Sequence, residues 1–360
     1  MVRRLFAASC LAVCLVAVPV VAQAPSGADL AEHGHWKRLK AAIEPRAAAN
    51  PNDAQAQWLL SRVRQAYKDY DGALAAAEKS VALEAKNADY RWQLAQVVGD
   101  LAQRASVFKQ FGLAKRFKKE AEDALAINPQ DTDVMIGLME FYYQAPGIIG
   151  GDKKKANEMA DRIMAINKVD GGSAKVHLLG HESPAPLDRI EQAWVQAVAA
   201  DPSRVEPHLS LANIYAGGKA PRYELAEKEA LAAQKIDPDR VAAYSTLAAV
   251  YAAQERWAEM EAVLAGAQKK IPDNLSPYLR VAGTLQNTGK DLERAERYAR
   301  KYLTQEPEPT ASSHAVAHWR LGLVLEKEGK KSEAVQELRT ATKLDPKFEQ
   351  AQKDLKRLGT

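Results

Sequence analysis

The chain has 360 residues, of which 47% are hydrophobic, 27% charged and 7% aromatic, the composition of a globular protein rather than a disordered segment. Lys and Arg number 50 against 46 Asp and Glu, a net charge of +4. That balance leaves no overall charge to drive capture of nucleic acid or of an anionic membrane.

Residues 1–24 read as a secretory leader, with Arg3 and Arg4 as the basic start, Leu5 to Val21 as the apolar stretch and Ala22-Gln23-Ala24 as a small-x-small cleavage site. The mature chain is expected to begin at Pro25 and to carry no transmembrane span, because the apolar run is short and Pro19 interrupts it. Both cysteines, Cys10 and Cys14, fall inside the leader, so the mature form keeps no thiol. Val13 stands where a lipobox needs a small residue, which argues against a lipid anchor on Cys14. The expected location is outside the cytoplasm, in the periplasm if the source is a Gram-negative bacterium.

A leading capping helix is expected over Asp29–Ala49, bent or interrupted at Pro45. Beyond it a helix-ending slot recurs at Pro51, Ala85, Pro129, Lys168, Pro202, Pro238, Pro272, Pro307 and Pro346, and three of the steps are 34 residues. Residues 315–346 show the pattern best, with Leu321-Gly322 and Leu325 on a first helix, then Ala334, Leu338 and Ala341 on a second. Tyr244, Leu247, Ala248 and Tyr251 repeat the first-helix logic, as do His208, Leu211, Ala212 and Tyr215. Apolar residues three and four apart give each helix one packing stripe, alanines let backbones approach, and a proline ends the second helix. The closing segment Glu349–Leu358 turns Ala351, Leu355 and Leu358 inward and Lys353, Lys356 and Arg357 outward, as a terminal cap should.

These letters and their spacing resemble the tetratricopeptide repeat family. The resemblance implies an all-α, right-handed α-solenoid of about eight stacked helix-turn-helix repeats with terminal capping helices. The implied organisation is a capping helix over 25–53, repeats 1–3 over 54–168, a degenerate repeat or hinge over 169–202, repeats 5–8 over 203–346 and a C-terminal cap over 347–360. It also implies a concave groove lined by first-helix residues, here Trp58, Arg62, Trp92, Ile136, Glu140, Tyr143, Leu209, Asn213 and Trp319. Trp, Tyr and Arg there would be binding anchors, unless the tryptophans fill space between repeats. A subset of the family grips C-terminal carboxylates with matched Lys, Asn and Arg. Only Arg62 and Asn213 hold comparable slots here, in distant repeats, so that clamp is not expected.

Three stretches depart from the repeat. Around Leu101–Phe117, Phe108, Phe111 and Phe117 alternate with Lys109, Lys115, Arg116, Lys118 and Lys119, a pattern read as an elongated core helix with a solvated basic face. Residues 144–155 form an expanded turn, with Asp152 expected to cap the next helix and Ile148 and Ile149 either tucked onto the solenoid or touching a partner. The turn lacks the spacing and the Ser or Thr of a phosphate loop. Gly171, Gly172, Gly180, Pro184 and Pro186 are expected to shorten a first helix to about two turns and to make a hinge.

The histidine pairs His177/His181 and His314/His318 have the i, i+4 spacing that places two imidazoles on one helix face. Neither pair has a third ligand nearby in sequence, and no H-E-x-x-H or G-x-S-x-G motif is present. The expected function is therefore a non-catalytic scaffold or adaptor without cofactor, binding a peptide or protein partner in a cell-envelope complex. The alternative is a metal-binding protein or metal-dependent enzyme built on those histidines.

Overall fold

The structure is a computed structural model that describes residues 26–359, so the leader reading at 1–24 lies outside it. Nineteen α-helices and no strand are found among the described residues. Two short leading helices, α1 (Gly27–Glu32) and α2 (Trp36–Ala49), precede eight consecutive helix pairs. The pairs are α3 (Ala54–Ala66) with α4 (Tyr70–Leu83), α5 (Ala88–Arg104) with α6 (Val107–Ile127), α7 (Thr132–Gln144) with α8 (Lys153–Ile166), and α9 (Lys168–Gly180) with α10 (Leu187–Ala200). They continue as α11 (Val205–Ala216) with α12 (Tyr223–Ile236), α13 (Val241–Ala253) with α14 (Trp257–Lys270), α15 (Ser276–Thr288) with α16 (Leu292–Tyr302), and α17 (His314–Lys327) with α18 (Lys331–Leu344). Helix α19 (Glu349–Gly359) closes the stack with Ala351 buried and Lys353, Lys356 and Arg357 exposed.

The turns between pairs follow from local chemistry. Asn50, Asn128, Asp201, Asp237 and Asp345 each precede a proline, which pushes them out of the helical region into extended backbone, so the helix stops there. The same side chains then accept a backbone N–H two residues on, from Asn52, Gln130, Ser203, Asp239 and Lys347, which fixes the turn. At the crossings Ala73, Ala121, Ala226, Ala295 and Ala334 are fully buried and admit close backbone approach. Leu138, Leu211, Leu247, Leu321 and Leu338 fill the layers between repeats.

Four expectations are corrected. Pro45 does not interrupt the leading helix; it lies inside α2, and the break falls instead at His33-Gly34-His35, where Gly34 has φ +78°. Residues 101–117 are not one core helix, since α5 and α6 part at Ala105-Ser106 and leave Phe108 95% and Phe111 38% exposed. The first helix of the fourth repeat is not two turns but thirteen residues, because Asn167 ends α8 and caps α9 through Val169 and Asp170 N–H. Its glycines serve packing: a β-carbon at Gly171 would strike the Met164 backbone, and one at Gly172 would press on Ala197. Finally, α16 ends at Tyr302, well before Pro307, and a connector over 303–313 takes up the difference.

Candidate functional site

The first helices of repeats 5–8 share one cavity of about 440 Å³, which no second helix lines. Asn213 on α11, Ser245 and Thr246 on α13, Ser276 and Arg280 on α15 and Arg320 on α17 face it. Arg280 and Arg320 occupy the same slot, each two residues beyond the landmark aromatic or histidine of its repeat, Tyr278 and His318. Among the described residues, neither guanidinium has a carboxylate within ion-pair reach. Arg320 lies over Gly283, where any β-carbon would collide with its guanidinium, and it also rests against the Trp319 ring at 5.7 Å. Burial, then the Arg280 charge, lowers the Arg320 pKa. A helix-interior glycine costs about 1 kcal/mol against alanine, and here it makes room for an uncompensated cation.

The mouth of this cavity is formed by the other end of the chain. His33 and Gly34 line it together with Glu308, Thr310, Ala311 and Ser312 of the 303–313 connector. His35, the residue before α2, gives no side-chain cap; instead Lys37 N–H donates to Glu308 Oε2 at 3.0 Å, so a carboxylate 271 residues away caps the helix. Lys37 Nζ reaches the Asp273 and Glu306 carbonyls, Arg38 pairs with Asp273, His33 with Asp237 at 3.2 Å, and Arg240 with the Glu32 carbonyl. Glu308 is 2% exposed, and burial pushes its carboxyl up despite Lys37. Burial would also raise Asp273, yet Arg38 holds it below the usual carboxylate range. The leading helices therefore clasp the turns of repeats 5–7, and the loop between them divides the concave face. On the far side of Glu32, Asp133, Ile136, Asp170 and Glu206 meet Arg204 and Arg240 in a second, largely acidic recess.

The sequence-derived groove residues scatter. Asn213 lies in the arginine-lined cavity and Ile136 in the acidic recess, while Leu209 packs beside Val205 and Ala233. Trp58 leans on Tyr90 at 5.7 Å with Arg62 over its other face at 5.2 Å. Trp92 wedges between repeats above Gly137, where no β-carbon fits. Trp319 donates its indole N–H to Asp354 at 2.8 Å and meets Phe348 edge-on, fastening the C-terminal cap. Both of the last two rings are partly buried against neighbouring elements. Glu140 and Tyr143 belong to a different cluster: His177 Nδ1 and His181 Nε2 approach the two Glu140 oxygens at 3.2 and 2.8 Å, and Tyr143 stacks on His181 at 4.6 Å.

Glu140 is the third partner that the sequence did not supply for His177/His181, 41 residues from His181. Burial would raise its carboxyl, but hydrogen bonds from His177, His181 and Gln144 hold it at about 2. One nitrogen of each imidazole faces a carboxylate oxygen directly, and no group of three His, Cys, Asp or Glu among the described residues has the geometry to hold a metal ion. His314 and His318 turn to separate partners, the Gln305 carbonyl and Glu337. In the 144–155 turn, Asp152 caps α8 through Lys154 and Lys155 N–H. Ile149 lies in a cavity of about 430 Å³ with Phe111, Phe117 and Phe141, whereas Ile148 is not tucked in but 80% exposed.

Stacked helix pairs with a concave face of first helices define an α-solenoid, a class that presents extended binding surfaces to peptide or protein partners. Residues 315–348 match the family model for the tetratricopeptide repeat. Yeast Tom70 is similar in structure with a TM-score of 0.51 at 14% identity, over 92% of this chain and 79% of that one. A tetratricopeptide repeat protein from Parabacteroides merdae gives 0.48 at 13%, over 74% and 99%. PilF from Pseudomonas aeruginosa gives 0.41 at 16%, over 64% and 100%. No curated protein matches the chain. Residues 315–348 thus match a tetratricopeptide repeat, and the chain as a whole has the fold of an α-solenoid of helix pairs. Arg280 and Arg320 are absent from the sequence-derived groove because it takes no residue from repeats 6 and 7 and only Trp319 from repeat 8; aligning the slot after Tyr278 and His318 finds them.

Proposed function

We propose that this protein is a non-catalytic scaffold that holds a partner by an acidic segment in the concave cavity of repeats 5–8, in a complex of the cell envelope. The observation that carries the reading is the pair Arg280 and Arg320, two cations in one recess with no ion-pair partner among the described residues. An unpaired, partly desolvated guanidinium is unfavourable, and a bound carboxylate would offset that cost with paired hydrogen bonds. Asn213, Ser245, Thr246 and Ser276 supply donors and acceptors around it. The envelope setting is supported by the leader composition of residues 1–24.

The test is a photocrosslinker placed at Ser245 in cells, with adducts compared between wild type and the Arg280→Ala/Arg320→Ala double variant. Adducts are expected in wild type and to fall by about tenfold in the variant, as loss of two charge-assisted contacts implies. Both chains should melt at the same temperature. An unchanged adduct pattern would remove the arginines from recognition. Isolation of the envelope form should give a chain beginning at Pro25 with no free thiol; retained thiols would refute the export reading.

A further inference from the structure

Net charge conceals a local concentration at the corner where two irregular stretches meet. Residues 101–119 carry six basic and no acidic side chains, and residues 144–155 carry three basic against one acidic. Together they hold eight net positive charges, while the whole chain has +4, so the remainder is acidic. The two stretches adjoin: Phe111 and Ile149 wall the same cavity, and Lys118 Nζ packs at Gly150. Arg116, Lys118, Lys119 and Lys154 are matched by Glu78, Glu122, Asp123 and Glu158. Among the described residues, Lys109, Lys115, Lys153 and Lys155 have no carboxylate partner, and the last two lie near the Tyr143 and Tyr142 rings.

The same corner carries protruding apolar side chains. The four most exposed large apolar residues of the described chain are Phe108 at 95%, Ile148 at 80%, Leu187 at 68% and Val107 at 67%. Three of the four belong to this corner. Val107 and Phe108 stand on the first turn of α6, beyond the packed part of the repeat, and Ile148 stands on a 3₁₀ turn at Gly147–Ile149. Isolated apolar tips ringed by lysines suit a bilayer interface, where the tips enter the acyl boundary and long lysine stems carry ammonium groups to the phosphates. A protein partner would more commonly be met by arginine and aromatic anchors depleted of lysine.

We infer that this corner docks the protein on an anionic lipid surface, with Phe108, Val107 and Ile148 as the inserted tips and Lys109, Lys115, Lys153 and Lys155 as the charged collar. The site is separate from the arginine cavity, so the two can fail independently. The experiment is co-sedimentation of the protein purified from cells with vesicles of phosphatidylcholine alone and with 30% phosphatidylglycerol added. Wild type is expected on the anionic vesicles and at least tenfold less on the neutral ones. Phe108→Ser/Ile148→Ser and Lys109→Glu/Lys115→Glu should each cut anionic binding at least tenfold without shifting the melting temperature, because these side chains are exposed. Arg280→Ala/Arg320→Ala should leave vesicle binding intact. A Phe108→Trp variant adds a reporter whose emission should be quenched by lipids brominated on the acyl chain. Absence of wild-type binding, equal binding to neutral vesicles, or full binding by the Ser or Glu variants would overturn the inference, the last outcome handing the corner to a protein partner.

Discussion

Repeats 5–8 and repeats 2–4 are built from the same helix pair but use their irregularities differently. In the later half the first helices align, and together with the 303–313 connector they line one continuous cavity. In the earlier half the second repeat is ten residues over the basic period and the third carries the 144–155 turn, so material is pushed outward as exposed tips. A regular array makes a concave recess; an interrupted one makes protrusions. Each half also contains a helix glycine that seats a neighbour's side chain, Gly137 beneath Trp92 and Gly283 beneath Arg320. One seat holds a packing ring, the other a cation facing a cavity.

Replacing the two glycines separates those uses. Gly137→Ala drives a methyl into a wedged indole that cannot withdraw, so a loss of about 1–3 kcal/mol in chemical denaturation is expected. A loss below half a unit would mean that Trp92 is loosely held. Gly283→Ala meets only the far end of a flexible arginine, and removal of a helix glycine should raise stability by about 0.5–1 kcal/mol. Because it displaces Arg320, the same variant should crosslink less at Ser245. Greater stability with undiminished capture would detach the seat from recognition.

The smallest effect concerns acid. Glu140 is held at about 2, below the ordinary 4.5, so its contribution is present above pH 4.5 and is lost as pH falls toward 2. The difference in melting temperature between wild type and Glu140→Gln should therefore shrink across that window. A difference independent of pH would mean that the His177 and His181 contacts do not hold the carboxylate charged.

The helix pairs were legible because a packing alanine and a closing proline recur at fixed offsets, and physics attaches a structure to each. The boundaries failed where a local rule met a tertiary one. Pro45 sits inside α2, and Gly171 and Gly172 sit in a full-length helix capped by Asn167, where Met164 and Ala197 leave little room for a side chain. Phe108 and Phe111 have core spacing along one helix, but among the described residues Phe108 on the first turn of α6 stays almost fully exposed and Phe111 is only partly covered. Of the site, Asn213 was visible and the two arginines were not. The His177–Glu140–His181 cluster was half visible, since i, i+4 spacing shows a pair but not a partner on another repeat.

The capping of α2 by Glu308 also bears on how the chain is made. A free-ended solenoid can grow one repeat at a time, each new pair resting on the last. Here α2, made early in synthesis, carries the Lys37 amide, whose acceptor lies 271 residues later. It must wait, uncapped, until the connector before α17 has been synthesised. The two ends then register together, so a contact of very long sequence separation completes a structure otherwise assembled from neighbours. A fragment ending at α14 would keep the contacts of His33 with Asp237 and of Arg240 with Glu32 but lose the Glu308 cap on α2 and the Arg38 pair with Asp273.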